Sequence, residues 1–297
     1  MQGSPRLSDI LDAGFRVYRT YFWPLAGLSL LATVPMLLGS TLITQLFLPM
    51  LRNSSVALFG LQIWLLNLIS GYVLSLLFRL PQQAVLNAAL VPALGGEWVG
   101  TGNALRTGVR AWPRLLLAAL GPLAIAQLLG GVSSLFFTPL VSLAYTGDIS
   151  SVTTNILFLC LGIAIALPLW LLLSALYGQL MLYIPAIVIE QRGATAALAR
   201  SWELTRGGRI PAALLVILEQ LLLYILTTLP SLLLTFAVFR LNLDRSLLSV
   251  VGIGTALLGQ TVIAPLGSAF LAALYVALRN QRQPATFERD VMQWAGE

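Results

Sequence analysis

Glu219 is the residue of this chain best placed to do chemistry inside a membrane. It is the one charged residue between positions 210 and 239, and helical geometry puts it about 13 Å into that apolar stretch. A carboxyl group at such depth is costly to bury, so it predicts a proton or cation relay or a substrate contact, together with the adjacent Gln220. The alternative is a protonated Glu219 that makes one hydrogen bond between helices.

Other chemistry is limited by what the sequence lacks. It has no histidine, and its one cysteine, Cys160, lies in an apolar run. Histidine is the commonest metal ligand and the usual general base, while a single cysteine forms neither an intrachain disulfide nor a thiolate cluster. We therefore predict no catalytic residues, no metal site and no cofactor, and a protein that is not an enzyme.

The elements that must position Glu219 are membrane helices. Hydrophobic residues make up 58% of the chain and charged residues only 9%, whereas about a quarter of the residues of a soluble protein are charged. All seventeen basic residues are arginine, and the net charge is +6. Because these arginines are dispersed among long apolar runs, we expect membrane lipids with anionic headgroups as their partners, and no nucleic acid.

Uncharged stretches long enough to cross a bilayer predict an all-α polytopic bundle of about six transmembrane helices. They belong to a single membrane domain, residues 1–280, which is followed by a tail, residues 281–297. The predicted spans are residues 22–48, 56–80, 114–139, 155–186, 210–238 and 247–278.

Arginines are divided unequally between the two sides of this bundle. Six spans put both termini on one side, which receives fourteen arginines, including Arg79 at the end of the second span, against Arg52, Arg240 and Arg245 on the other. The positive-inside rule then predicts that both termini are cytoplasmic. The residues expected to contact lipid headgroups are Arg16, Arg19, Arg110, Arg114, Arg206 and Arg209.

The chain also shows an approximate internal repeat of about 93 residues. Residues 10–18 align at an offset of 94 with residues 104–112 and at 187 with residues 197–205. Each segment precedes a pair of predicted spans, so we expect three parallel units, each introduced by a cytoplasmic amphipathic helix in the plane of the interface. The predicted units are residues 5–96, 100–192 and 194–280.

The repeat places polar side chains at matching depths. Gln127 and Gln220 occupy equivalent positions, and Thr33 lies at the matching site of the first unit. If the units surround an axis, these groups line a shared cavity beside Glu219; as hydrogen-bonding partners between helices they need no further function.

Smaller features are read as structural. Glu203 is expected to pair with Arg200 or Arg206 on the third amphipathic segment. Close helix approach is expected at four glycines of the sixth span: Gly252, Gly254, Gly259 and Gly267. In the tail, the spacing i, i+4, i+7 predicts a short helix that docks on a partner groove or lies on the bilayer. The residues that carry this spacing are Phe287, Val291 and Trp294.

Two stretches carry a resemblance to a known family. Residues 7–19, Leu-Ser-Asp-Ile-Leu-Asp-Ala-Gly-Phe-Arg-Val-Tyr-Arg, and residues 185–208, with Glu190 before a turn and then Ser-Trp-Glu-Leu-Thr, resemble the membrane domain of some bacterial glycerophosphoryl diester phosphodiesterases and related stand-alone membrane proteins. The resemblance implies this membrane fold and a bacterial cytoplasmic membrane. It implies no hydrolase activity, because the catalytic domain of those enzymes is a separate barrel that uses histidine.

We therefore expect a non-enzymatic accessory, scaffold or regulatory subunit that associates with lipids or with a larger membrane protein complex. The alternative is a small transporter or lipid-handling protein with a central polar cavity near Glu219.

Overall fold

The fold is seen in a computed structural model that describes residues 6–51, 66, 68–146, 149–206, 208–241 and 246–282. Within these ranges every regular element is a helix and none is a strand. Six helices are long and apolar enough to cross a membrane, which confirms the predicted all-α, multi-pass architecture. They are Phe22–Phe47, Leu68–Leu94, Thr101–Val132, Ala164–Val188, Arg209–Val238 and Val250–Arg282.

We number the helices of the described ranges in chain order. The eighth is continuous from residue 209 to residue 240 and includes a π-helical turn, Tyr224–Thr228. The elements are α1 Leu7–Thr20, α2 Phe22–Leu51, α3 Leu68–Leu94, α4 Thr101–Thr146, α5 Ile149–Leu180, α6 Tyr183–Val188, α7 Ala194–Thr205, α8 with its parts Arg209–Leu223 and Leu229–Arg240, and α9 Ser246–Arg282.

Two of the predicted spans differ from the helices in an informative way. The second was predicted to end at residue 80, but α3 continues to Leu94, so Arg79 lies inside a helix. The third was predicted to follow a separate amphipathic helix, but α4 runs without a break from Thr101 to Thr146. The first and third amphipathic segments of the predicted repeat lie in separate helices, because α1 ends at a turn at Tyr21 and Gly208 follows α7. The repeat stays a prediction.

Helices α1 and α9 pack closely. A Cβ atom at Gly14 would lie 2.6 Å from the Phe270 ring, and the Tyr18 hydroxyl donates to the Val262 carbonyl at 3.0 Å. These contacts are four residues apart on α1 and eight apart on α9, so α1 runs partly along α9. The orientation predicted for α1, in the plane of the interface, is not confirmed.

Both π-helical turns have the same cause. Ser75–Arg79 in α3 and Tyr224–Thr228 in α8 are each followed by Leu-Pro. Proline has no N–H and its ring clashes with the carbonyl four residues before it, which forces a wider turn. In α3 the Leu80 N–H bonds to Ser75 O, and Pro81 offers no donor, so Leu76 O loses both of its helical partners. The Trp112 indole nitrogen on α4 donates to that carbonyl at 3.2 Å.

Buried and exposed apolar residues divide the bundle into two zones. The packed zone contains most of the buried core, and glycines bring its helices together: Gly108 meets the Val85 backbone and Gly178 the Ala212 backbone. The open zone contains most of the exposed large hydrophobic residues. The packed zone is residues 7–28, 80–115, 173–216 and 262–282; the open zone is residues 30–47, 69–77, 117–128, 165–172, 221–236 and 250–258.

The open zone has the thickness of a bilayer. On α2 its exposed residues run from Leu30 to Phe47, a length of about 27 Å at the helical rise. The hydrocarbon core of a bilayer is about 30 Å thick. Most of the exposed large hydrophobic side chains therefore lie in a layer that a bilayer can cover.

Candidate functional site

Glu219 lies at the boundary between the two zones and faces Arg79. Oε1 of Glu219, on α8, is 4.0 Å from Nη2 of Arg79, which ends the π turn of α3. The side chains are 21% and 28% exposed, respectively. Arg79 was predicted to end its span, so its contact with Glu219 was not predicted. The uncharged run that continues past Arg79 to Leu94 is the sequence signal that places Arg79 inside a helix.

A glycine on α9 makes room for this pair. A Cβ atom at Gly267 would lie 2.8 Å from both Cδ and Oε1 of Glu219. Real Cβ atoms do not approach so closely, and a compact interior transmits such a clash to its neighbours. The predicted close approach therefore differs among the four glycines. A Cβ atom at Gly252 or Gly254 would have no neighbour within 4 Å, whereas Gly259 meets the Thr227 side chain and Gly267 the Glu219 carboxyl group.

The space beside Glu219 is small. It measures about 20 Å³, and the polar side chains that line it are Gln83, Tyr177, Glu219 and Ser268. A cavity needs roughly 10–15 Å³ on this measure to hold one water. The site therefore has room for about one water and none for a transported solute in this conformation.

The polar residues predicted to share this cavity do not line it. The Gln127 amide donates to Ser75 Oγ on α3 at 3.2 Å, and the Thr33 hydroxyl donates to Ser29 O of its own helix at 2.8 Å. Gln220 is half-buried and is not among the residues that line the space beside Glu219. Of the predicted polar group, only Glu219 reaches that space.

Neighbouring contacts define the depth of the charged pair. Gly108 lies against Val85, and Trp112 against Leu76, so residues 76–85 of α3 run beside residues 108–112 of α4. Arg79 therefore lies between these two contacts, beside the stretch of α4 from Gly108 to Trp112 that includes the exposed Arg110. The pair belongs to a charged layer of the bundle and is not an isolated charge in the middle of the apolar zone.

A second polar feature, the arginine cleft, lies between α4 and the turn after α6. It encloses about 260 Å³. Arg106, Arg110 and Arg114, four residues apart on one face of α4, form its wall. Its other lining residues are Val99, Asn103, Thr107, Ala111, Ile187, Val188 and Gln191.

One rim residue of the cleft has an unusual backbone. Gln191 has φ 52°, a left-handed conformation that side-chain-bearing residues rarely adopt, and its carbonyl accepts a hydrogen bond from Arg114 Nη1 at 3.4 Å. This bond fixes one guanidinium of the cleft to the turn.

A third feature is a buried ionic network around Glu190. Its Oε1 accepts a hydrogen bond from the Tyr275 hydroxyl at 2.7 Å and lies 3.9 Å from Arg279 Nε, while Oε2 lies 3.4 Å from Arg200 Nε. Arg192 also pairs with Glu190. Burial raises the pKa of Glu190, but the Tyr275 hydrogen bond, Arg200 and Arg192 together outweigh it and hold the pKa below its usual value.

This network joins three elements of the packed zone. It connects the turn after α6 to α7 through Arg200 and to α9 through Tyr275 and Arg279. Arg200 also lies 3.3 Å from Glu203, which confirms that predicted pair. Tyr275 and Arg279 were not predicted as partners of Glu190, because Tyr275 lies 85 residues from Glu190 in the sequence and no local pattern relates them. The network is a structural junction between helices.

The remaining predicted residues lie at the surface. Arg16 and Arg19 are exposed and line an open surface pocket of about 600 Å³ with Asp12 and Tyr18, and Arg206 is exposed at the end of α7. The Arg209 guanidinium lies over the Trp202 ring, 5.8 Å from its centre. Phe287, Val291 and Trp294, like most of the predicted tail, lie outside the described residues.

Comparison with known proteins gives no relative. The chain matches no protein-family model, no curated protein and no solved structure. The resemblance of its two stretches to the membrane domain of bacterial phosphodiesterases therefore stays a prediction.

Proposed function

We propose that this protein is a non-enzymatic accessory or scaffold subunit of a bacterial cytoplasmic membrane, with both termini in the cytoplasm, that associates with lipids and with a partner membrane complex. The observation that carries the proposal is the closed site at Glu219. Its carboxyl group is engaged by Arg79 and enclosed by Gly267, and the adjacent space holds about one water. A transporter in this conformation would need a solute site, and the space is too small for one.

The surface of the open zone supports association with other hydrophobic molecules. Leu31, Leu42 and Leu46 on α2 are each more than half exposed. Lipid tails or the helices of a partner protein can cover such a surface. The basic side supports contact with acidic headgroups, because Arg106, Arg110 and Arg114 form a continuous exposed wall.

A second candidate is a small transporter or lipid-handling protein whose moving parts meet at Glu219. The observation in its favour is that Arg79 ends a π turn and that Glu219 lies five residues before another. Such turns occur often at functional sites, and intramembrane ionisable groups mark transport pathways.

Two measurements on the same preparation separate these candidates. Extraction of the native membrane into lipid nanodiscs is expected to yield one discrete assembly in which the 32.0 kDa chain and a partner keep a fixed ratio. Purified protein in proteoliposomes is expected to carry no proton-coupled flux. A solitary monomer with a flux that is abolished by Glu219→Gln and retained by the exposed control Glu203→Gln would establish the transporter instead.

A further inference from the structure

We propose that the arginine cleft binds the phosphate of an acidic phospholipid, whose acyl chain lies along the apolar stripe that continues on the same helix. This inference rests on the lipid association in the proposed function and names a site and a ligand class for it.

The wall of the cleft suits a phosphate group. Arginine presents a planar fork of donors that binds phosphate oxygens in pairs, and Arg106, Arg110 and Arg114 all line the same space. None of the residues that line it is a carboxylate. Three like charges on one face repel one another, so an anion between them is stabilising.

The stripe below the cleft suits an acyl chain. Three residues beyond Arg114 on α4 comes Leu117, which is 71% exposed, followed by Leu120 at 51% and Leu128 at 48%. Residues three and four apart share a face of a helix. The face of α4 therefore changes from exposed arginines to exposed leucines within one turn.

This change marks the edge of the hydrocarbon. An exposed arginine in the hydrocarbon core is unfavourable by several kcal/mol, so lipid tails begin to cover α4 after Arg114. The phosphates of the same leaflet then lie beside Arg110 and Arg114. A lipid in this position places its headgroup in the cleft and its tail on Leu117 without crossing a polar surface.

The size and floor of the cleft match a headgroup. Its volume of about 260 Å³ lies below the range of pockets that enclose whole drug-sized ligands. The floor is formed by Ala111, Ile187 and Val188, which are all buried. A phosphate with its glycerol fits this combination of basic wall and apolar floor, while the tails stay in the bilayer.

The turn at Gln191 holds one guanidinium in place. Its left-handed backbone presents the carbonyl to Arg114. Unfavourable backbone conformations persist where surrounding structure enforces them, and they are concentrated at binding and active sites. This hydrogen bond favours one position of the Arg114 guanidinium, which lowers the entropy lost on binding.

The test is lipid binding by the full chain in mild detergent. Phosphatidic acid is titrated in mixed micelles, with phosphatidylcholine as the neutral comparison. Arg106→Gln/Arg110→Gln is expected to weaken phosphatidic acid binding about tenfold or more, since each arginine–phosphate contact is charge-assisted. The matched control Arg52→Gln/Arg240→Gln removes the same charge from the predicted opposite side of the bundle and is expected to change binding by less than about threefold. Equal losses in the two double variants would overturn the site.

A second set of arms identifies the source of the phosphate. Leu117→Asn is expected to weaken phosphatidic acid binding, and millimolar inorganic phosphate is expected not to displace the lipid. Full competition by inorganic phosphate, with no effect of Leu117→Asn, would make free phosphate the ligand and overturn the lipid assignment. Lipid binding that fails while the partner assembly is retained leaves the proposed function standing, so the two failures are distinguishable.

Discussion

Gly267 on α9 and Glu219 on α8 are in such close contact that no side chain fits between them: a Cβ atom at residue 267 would lie 2.8 Å from two atoms of the carboxyl group. The glycine limits the positions that the carboxyl group can occupy. Among the described residues, the cation that forms an ion pair with Glu219 is Arg79. One small residue on a third helix thus orients a charged pair between two others.

Gly267→Ala is expected to destabilise the protein by about 1–3 kcal/mol, because overpacking displaces the Glu219 carboxyl group from Arg79. Thermal unfolding in detergent measures the change. Gly254→Ala is the matched control on the same helix, since a Cβ atom there would have no neighbour within 4 Å. A control as damaging as Gly267→Ala would contradict the packing argument.

Arg79 and Glu219 are expected to be energetically coupled. Glu219→Gln leaves the partly buried Arg79 cation without its partner, and Arg79→Gln leaves the Glu219 carboxylate without its partner. The double variant has no unpaired charge at this site. A double-mutant cycle of unfolding free energies should give a coupling of about 0.5–3 kcal/mol. Strict additivity of the two single variants would mean that the 4.0 Å contact contributes nothing.

Trp112→Phe is expected to destabilise the protein by about 1–3 kcal/mol, because it leaves the Leu76 carbonyl without a donor. The loss should be smaller when Pro81 is also replaced by alanine, since residue 81 then regains an N–H. Unfolding free energies of the two single variants and the double variant test this. Trp23→Phe is the control, because Trp23 is 81% exposed. A loss of equal size with and without Pro81→Ala would refute the proposed origin of the free carbonyl.

Glu190 is expected to make stability sensitive to acid. Its pKa is lowered in the folded chain, so it contributes stability that is fully present above its ordinary value of 4.5 and is lost as the pH falls through the lower, folded pKa. Glu190→Gln should flatten the acid side of the stability profile, and Tyr275→Phe should do so partly. Glu97→Gln, at an exposed position outside the network, should leave the profile unchanged.

Composition and periodicity predicted the helices well, because a membrane span must be long, apolar and internally hydrogen-bonded. The fifth span, residues 210–238, agrees closely with the helix Arg209–Val238. The same reasoning assigned Arg79 to a helix end, because a charge usually marks the point where an apolar run leaves the bilayer. The residues that follow are apolar for a different reason: Ala84, Leu86 and Leu90 are buried against other helices.

The site was predicted only in part, because the sequence shows how deep Glu219 lies in its span but not which residues contact it. Glu219 was found because a lone carboxyl group in an apolar run is visible in any sequence. Three contacts depend on how the helices cross, which no local pattern records. They are the Arg79 ion pair, the close approach of Gly267 to the carboxyl group and the Trp112 hydrogen bond to the Leu76 carbonyl. The repeat suggested a common depth for Gln127 and Gln220, but the Gln127 amide bonds instead to Ser75.

The packed zone has one further consequence, which concerns solvation. Most of its core is enclosed by protein, so its cohesion depends mainly on side-chain packing within the chain. The open zone exposes its leucines, so its cohesion depends on the amphiphile around it. Detergents of different chain length should therefore change the distances between helices in the open zone more than those in the packed zone.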